Sequence, residues 1–181
     1  MHRSIFLAAA ASITLAACAM NDDMSGPGAT AAGMPADMTP EERTAYVRMA
    51  ASSDMYEIQS SQIALSKAQN PAMRSFAEMM VRDHTNTTQQ LMAAAQTSGM
   101  PPMAPQMMPM HADMVAKLQA ASAGASFDRM YAQQQLMAHQ QALALHSNYA
   151  ARGDTPALRT VAGTATPIVR GHLEMVQRWP R

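Results

Sequence analysis

Glycine and proline are bunched in this chain, and beyond the N-terminal segment 1–25 the bunching leaves three long stretches free of both: 41–70, 72–98 and 125–152. Proline removes a backbone donor and glycine costs conformational entropy, so these two residues punctuate helices. Stretches without them, rich in alanine, methionine and glutamine, have room for long helices. Strands need β-branched and aromatic residues in alternation, and aromatics are only 4% of the chain. An all-α fold follows.

The boundaries carry cap chemistry. Thr39 can cap a first helix, with Pro40 at its first position and Glu41 and Glu42 in the first turn. Thr39 and Glu42 have capping-box spacing. This helix is predicted to run to Gln69. Asn70-Pro71 ends it and starts the second, which runs to about Thr97 and stops at Gly99. Four prolines exclude helix over 99–110; a short helix follows from about His111 to Ala121, and Gly124 breaks it. Ser126 can cap a third long helix reaching Arg152, stopped by Gly153. Asp154 or Thr155 can cap the last, which starts at Pro156, bends near Pro167 and reaches about Arg178. Four long helices with one long Met/Pro-rich connection in the middle predict a four-helix bundle. The octets 70–77 and 155–162 agree at Pro, Ala, Arg and Ala. Any helix start favours a cap and proline; a duplicated helical hairpin explains the match equally well.

The N-terminus has its own pattern. His2 and Arg3 precede an apolar run from Ile5 to Leu15, too short to span a bilayer, which takes about 20 apolar residues. Leu15-Ala16-Ala17-Cys18 resembles a bacterial lipobox, with small residues at a processing site. The expected organisation is a lipoprotein signal peptide over 1–17, a flexible tether over 18–38 lipidated at Cys18, and the bundle domain over 39–181. No aspartate follows Cys18, which points to the outer membrane facing the periplasm. The alternative is an ordinary secretory signal with a chance cysteine. Removal of 1–17 leaves 164 residues, enough for one domain with a core. Cys18 is the single cysteine, so no thiol would remain for a disulfide, a thiolate site or a nucleophile. Charges balance at 13 basic and 13 acidic, which argues against nucleic acid as a partner. The expected partner is the membrane, through the lipid anchor.

Several words in the chain carry a family resemblance. They are Asn70-Pro71, Phe76-Ala77, Val81-Arg82-Asp83-His84-Thr85, Ser126-Phe127-Asp128-Arg129-Met130-Tyr131, Ala138-His139 with Ala142-Leu143-Ala144-Leu145, and Pro167 followed by Gly171-His172-Leu173. Together they resemble domain-of-unknown-function family 4142, bacterial exported proteins with a ferritin-like bundle. The resemblance covers roughly Ala45 to Val176. It implies a ferritin-like fold and an envelope location, and no activity.

Polar residues fall on the apolar faces. Helical spacing lines up Met73, Phe76, Met80, His84, Thr87 and Leu91 on the second helix, and Leu136, His139, Leu143 and His146 on the third. On the last, Leu158, Val161, Ala165, Ile168, His172, Met175 and Trp179 align. The first is less clean, with Val47, Ala50, Asp54, Glu57, Ser61 and Ala64. Glu57, His84, His139 and His172 therefore face the middle, with Asp54 and Asp83 as carboxylates able to orient an imidazole. Counting the helical rise puts Glu57 and His84 level but offsets His172 from His139 by about 7 Å. Imidazole and carboxylate suit a transition metal; the alternative is a buried polar layer that fixes helix register. The fold itself requires no cofactor. A ferritin-type di-iron centre needs Glu-x-x-His on two helices. Val81 and Val169 stand where those glutamates belong, which argues against a di-metal oxidase.

Methionine is abundant, 20 of 181 residues. Those on helices, Met137 and Met175 included, read as adaptable core filler. Met100, Met103, Met107, Met108 and Met110, with His111, lie among prolines with no helical face to fill. Soft thioethers select Cu(I); compositional drift and sacrificial oxidation are the other readings. No catalytic motif is present. The reading that follows is a non-enzymatic, lipid-anchored envelope protein with a binding or stress-related role. The alternative is a metal-binding or metal-buffering protein using the Glu/His layer, the Met-rich loop, or both.

Overall fold

The computed structural model describes residues 42–179, and all of its regular structure is helical. The elements are α1 (Arg43–Lys67), α2 (Pro71–Thr97), α3 (Pro109–Ala120), α4 (Ala125–Arg152) and α5 (Pro156–Gln177). The expected signal peptide, Cys18 and the tether lie outside the described residues, as do Thr39, Pro40 and Glu41. The long helices pack as two antiparallel-connected pairs, α1 on α2 and α4 on α5, and the pairs meet through α1 with α4 and α2 with α5. Short α3 lies against α1 and α4.

Several boundaries correct the sequence reading. Glu42 is extended (φ −79°, ψ 131°) and occupies the N-cap of α1 without a side-chain cap bond, so it does not sit in the first turn. α1 ends at Lys67, two residues early, with Ala68 extended beyond it. α3 starts at Pro109 rather than His111, because proline suits a first helical turn. Ser126 lies inside α4; Gly124, at φ 130°, precedes the helix instead. Asn70 does cap α2, its Oδ1 accepting from the Ala72 amide at 2.9 Å. Gly153 ends α4 without a left-handed conformation. Its requirement is space: a Cβ there would lie 2.5 Å from the Tyr149 ring. α5 continues through Pro167, which is exposed.

The tight turns are tied across the structure. Asp128 sits in the first turn of α4. Its carboxylate accepts from the amides of Gln69 (3.1 Å) and Asn70 (3.0 Å), filling the backbone needs of the α1–α2 turn. The two octets share a contact that explains their common arginine. Arg74 donates to the Ala68 carbonyl at 3.1 Å, and Arg159 to the Gly153 carbonyl at 2.7 Å. In each hairpin an arginine one turn into the second helix holds the end of the first.

Two large apolar clusters, and a smaller third around Tyr56, Met114 and Val115, build the core. One joins Met73, Phe76, Met80, Leu118, Phe127, Tyr131 and Val176. The other joins Tyr46, Val47, Leu91, Tyr149, Leu158 and Ala162. α1 is buried on most of its surface because α2, α3 and α4 all touch it, and this is why its sequence shows no clean apolar face. Its buried Ser52, Ser53, Ser60 and Ser61 are small enough to let three neighbours approach. On α5 the buried face is Leu158, Ala162, Ala165, Val169, His172 and Val176. It is rotated one residue from the predicted line, leaving Val161 and Ile168 half-buried. Met137 and Met175 are exposed, not core filler. Leu136 and Leu143 are half-buried.

Candidate metal centre

Between the two large apolar clusters each long helix carries a polar residue into the interior: Glu57 from α1, His84 from α2, His139 from α4 and His172 from α5. All four are buried, none more than 3% exposed. His84, His139 and His172 each offer a ring nitrogen, and these atoms lie within 4.8 Å of one another. The ring centroids are 5.9 Å (84–139), 5.6 Å (84–172) and 5.5 Å (139–172) apart. Glu57 Oε1 stands 3.5 Å from His139 Nδ1.

The expected offset of His172 does not keep it away. Counted from the helix ends, His139 lies 13 residues before Arg152 and His172 lies 16 after Pro156. That is a difference of only about 4.5 Å of rise, which an imidazole side chain spans.

Each ring is held by one nitrogen, and the hydrogen-bond network assigns its tautomer. His84 Nδ1 bonds Asp54 Oδ1 at 2.7 Å. Asp54 Oδ2 accepts from Thr87 and Thr88, both at 3.0 Å. His139 Nδ1 donates to the Gln135 carbonyl one turn back, at 2.9 Å. His172 Nε2 bonds Asp83 Oδ2 at 3.1 Å. Asp83 thus orients the histidine across the helix pair and not its neighbour His84, since adjacent residues on a helix face different ways. Two partners escaped the sequence reading, Gln135 and the Thr87/Thr88 pair; the only signal was their one-turn spacing from His139 and His84.

Among the described residues the opposite nitrogens have no partner. His84 Nε2, His139 Nε2 and His172 Nδ1 are buried without a hydrogen bond, as are both carboxylate oxygens of Glu57. Buried polar groups are almost always satisfied, so five orphaned atoms from four helices in one layer are a large exception. Phe76 lies against the site, 5.9 Å from the His139 ring and 6.1 Å from that of His172. Trp179 packs edge-on to Phe76 at 4.8 Å and closes that side with apolar surface.

Burial sets the charges. It pushes His139 down to about 3, aided by the nearby charge of His84 and then His172. It pushes His172 down to about 4, aided by His84 and opposed by Asp83. Both are neutral imidazoles at pH 7, with a lone pair on the free nitrogen. Burial would lower His84 too, but bonded Asp54 outweighs it and the pKa is raised. Burial lifts Glu57 to about 7, with His84 opposing. The ligand atoms that lie together are three imidazole nitrogens, with the Glu57 carboxyl beside them at His139 Nδ1. Four-coordinate ions hold nitrogen at about 2.0–2.1 Å, which places ligand nitrogens roughly 3.4 Å apart. The rings would have to draw in by at most about 1.4 Å.

His146 does not join this group. Its Nδ1 pairs with the Tyr46 hydroxyl at 3.0 Å, and Tyr46 stacks on Tyr149. The Met-rich loop is also apart. Met100 is buried in the cluster around Tyr46, and Met103 packs against it. Met107 and Met110 pack against the cluster of Tyr56, Met114 and Val115. His111 is buried, bonded to Ser52 Oγ at 2.7 Å and stacked on Tyr56. The loop residues therefore do have an apolar surface to fill, made by α1 and α3.

A family model described as "Domain of unknown function (DUF4142)" matches residues 27–179. No curated protein matches the chain. Three solved structures share the fold, each with a TM-score of 0.63. Silver-bound CopM is 19% identical and covers 76% of this chain and 94% of its own. CopM in its Cu(II)-bound form is 20% identical and covers 76% and 95%. A DUF305 fragment from Deinococcus radiodurans is 20% identical and covers 77% and 94%. At these identities the likeness is one of fold.

Proposed function

The chain belongs to the DUF4142 family, a membership that carries no activity with it, and we propose that it is a non-enzymatic metal-binding protein. In this reading a ferritin-like four-helix bundle holds one borderline divalent transition-metal ion, Cu(II) or Zn(II), on His84, His139 and His172, with Glu57 as the fourth donor. The observation that carries it is the set of orphaned donors in a single buried layer. A polar layer that served helix register alone would satisfy its members against one another; here one nitrogen of each ring is held by an outer partner and the other is left buried without one.

Each imidazole is backed by Asp54, by the Gln135 carbonyl or by Asp83, the outer partners that fix ligating histidines. With both Glu-x-x-His motifs missing, the layer has one carboxylate where a di-metal oxidase needs several, so the role is holding or buffering an ion. That CopM binds copper and silver on a similar fold is consistent with this. The lipobox-like run ending at Cys18 supports a lipid-anchored envelope protein, standing off the outer membrane on its tether.

The test is metal content and affinity of the full-length protein, purified in detergent, titrated with Zn(II) and Cu(II). Submicromolar binding of one equivalent is expected. Asp54→Asn should weaken it by about 10–100-fold, and the triple His84, His139, His172→Ala variant should abolish it. Wild-type affinity weaker than micromolar, or full retention in the triple variant, sinks the reading.

A further inference from the structure

A cavity lies outside the histidine layer. A cleft of about 480 Å³ opens between α1, α2 and the 102–109 connection. Its soft donors come from two places far apart in sequence: Met92 on α2, and Met103, Met107 and Met108 on the connection. We propose that these four thioethers form a site for a soft monovalent cation, Cu(I) or Ag(I), separate from the divalent site in the core.

The donor chemistry decides the class of ligand. No carboxylate, imidazole or thiolate lines the cleft, so nothing there neutralises a divalent ion or satisfies a hard one. Thioether sulfur is neutral and polarizable and selects Cu(I)-type ions. The one charged residue on the lining is Arg48, exposed at the rim. Solvent screens its charge, and what repulsion remains falls twice as heavily on a divalent ion as on a monovalent one. The two sites divide their cargo by charge and softness: imidazole and carboxylate in the core, sulfur alone in the cleft.

The connection is built to hold its shape. Pro102, Pro105 and Pro109 fix φ at three points of the wall and reduce the entropy lost when the segment is ordered. Its far end is pinned to α1, where Ser52 Oγ accepts the Met108 amide at 2.8 Å while pairing with His111. The same anchoring withdraws Met100 and His111 into the core. The loop methionines are thus not equivalent: Met103, Met107 and Met108 reach the cleft and Met100 and Met110 do not, while Met92 joins from a helix.

The experiment titrates Ag(I) into the full-length protein carrying the triple His84, His139, His172→Ala change, so that the core site cannot contribute. Tight binding of one equivalent is expected there. Adding Met92→Leu, Met103→Leu, Met107→Leu and Met108→Leu, which keep apolar bulk, should weaken it at least 30-fold. The same four changes in the wild-type background should leave Zn(II) affinity within threefold. Ag(I) affinity within threefold of the parent in the leucine variant overturns the proposal. Should that variant fail to fold, methionine methyl shifts of the wild-type protein decide. Movement of the Met92, Met103, Met107 and Met108 methyls that saturates at one equivalent of Ag(I) supports the site, and movement confined to other methionines overturns it. Loss of Zn(II) binding by wild type with Ag(I) binding intact would sink the core site and leave this one standing.

Discussion

Glu57→Gln separates a binding site from a structural layer, because the two roles predict opposite signs. Glu57 is 1% exposed, and neither of its oxygens has a partner at full hydrogen-bond geometry; His84 and the nearby Gln135 side chain only partly oppose the burial. Burial therefore holds its carboxyl at about 7 instead of the ordinary 4.5. A folded-state pKa raised in this way contributes stability below 4.5 that is lost as pH rises through 7. Integrating between those values, the ionised side chain costs the fold about 3 kcal/mol at pH 8 and about 1 kcal/mol at pH 5. Glutamine has nearly the same shape and no charge. In the metal-free protein Glu57→Gln should raise stability by about 2–3 kcal/mol at pH 8 and by less than about 1 kcal/mol at pH 5. Zn(II) affinity should fall at least tenfold, since an anionic donor is lost. Urea unfolding of chelator-treated protein at the two pH values, with a parallel Zn(II) titration, measures both effects. A variant less stable than wild type at pH 8, or one that binds Zn(II) as well as wild type, would refute the reasoning. The first result would mean that the carboxylate makes structural contacts; the second, that it faces no ion.

Two further outcomes follow from the same structure. The metal-free protein should lose stability as pH falls from 6.5 toward 4. His139, His146 and His172 are held at about 3, 4 and 4 by burial, so the unfolded chain takes up three protons there that the fold refuses. Glu57 offsets one of them, leaving roughly two uncompensated protons and a slope of about 2–3 kcal/mol per pH unit; a flat urea midpoint between pH 6.5 and 5 would contradict the burial of these rings. Gly153→Ala would place a Cβ 2.5 Å from the Tyr149 ring, and should cost about 1–3 kcal/mol by overpacking. Gly163→Ala, with no atom within 4 Å, should be neutral or stabilising by up to about 1 kcal/mol, and thermal melts of the pair provide the comparison.

What could be read from the sequence was local. The Asn70-Pro71 cap, the apolar line Met73-Phe76-Met80-His84-Thr87-Leu91 on α2 and the breaks at Gly99 and Gly124 depend on residues within a turn or two of one another. The face of α1 was not legible, because periodicity assumes one buried side and α1 is covered on three. The one-residue rotation of the α5 face has a similar origin. Val161 and Ile168 read as core alongside Ala165, yet the helix turns their neighbours Ala162 and Val169 inward in their place, toward α4 and α2. Composition can rank residues by apolarity, and it carries no information on how much room the neighbouring helix leaves.

The same distinction explains why the four interior polar residues were visible and their arrangement was not. A histidine at a buried position announces itself in any helical projection. Whether it is a register pin or a ligand depends on what its second nitrogen meets, and that is decided by partners from other helices. Asp83 shows the difference: sequence places it next to His84, while the fold gives it to His172 on α5. Asp54, one turn before Glu57 on α1, takes His84 instead. Once those exchanges are made, each imidazole is committed through one nitrogen, and its other nitrogen is buried without a partner, as are the Glu57 oxygens and Gln135 Oε1. A self-satisfied layer would have used Glu57 to accept from a ring N–H. Here the nearest such nitrogen, His139 Nδ1 at 3.5 Å, already donates to Gln135. Left over are the Glu57 carboxyl and one nitrogen of each ring, all buried without a partner, and in the proposed reading a cation would satisfy the three nitrogens together.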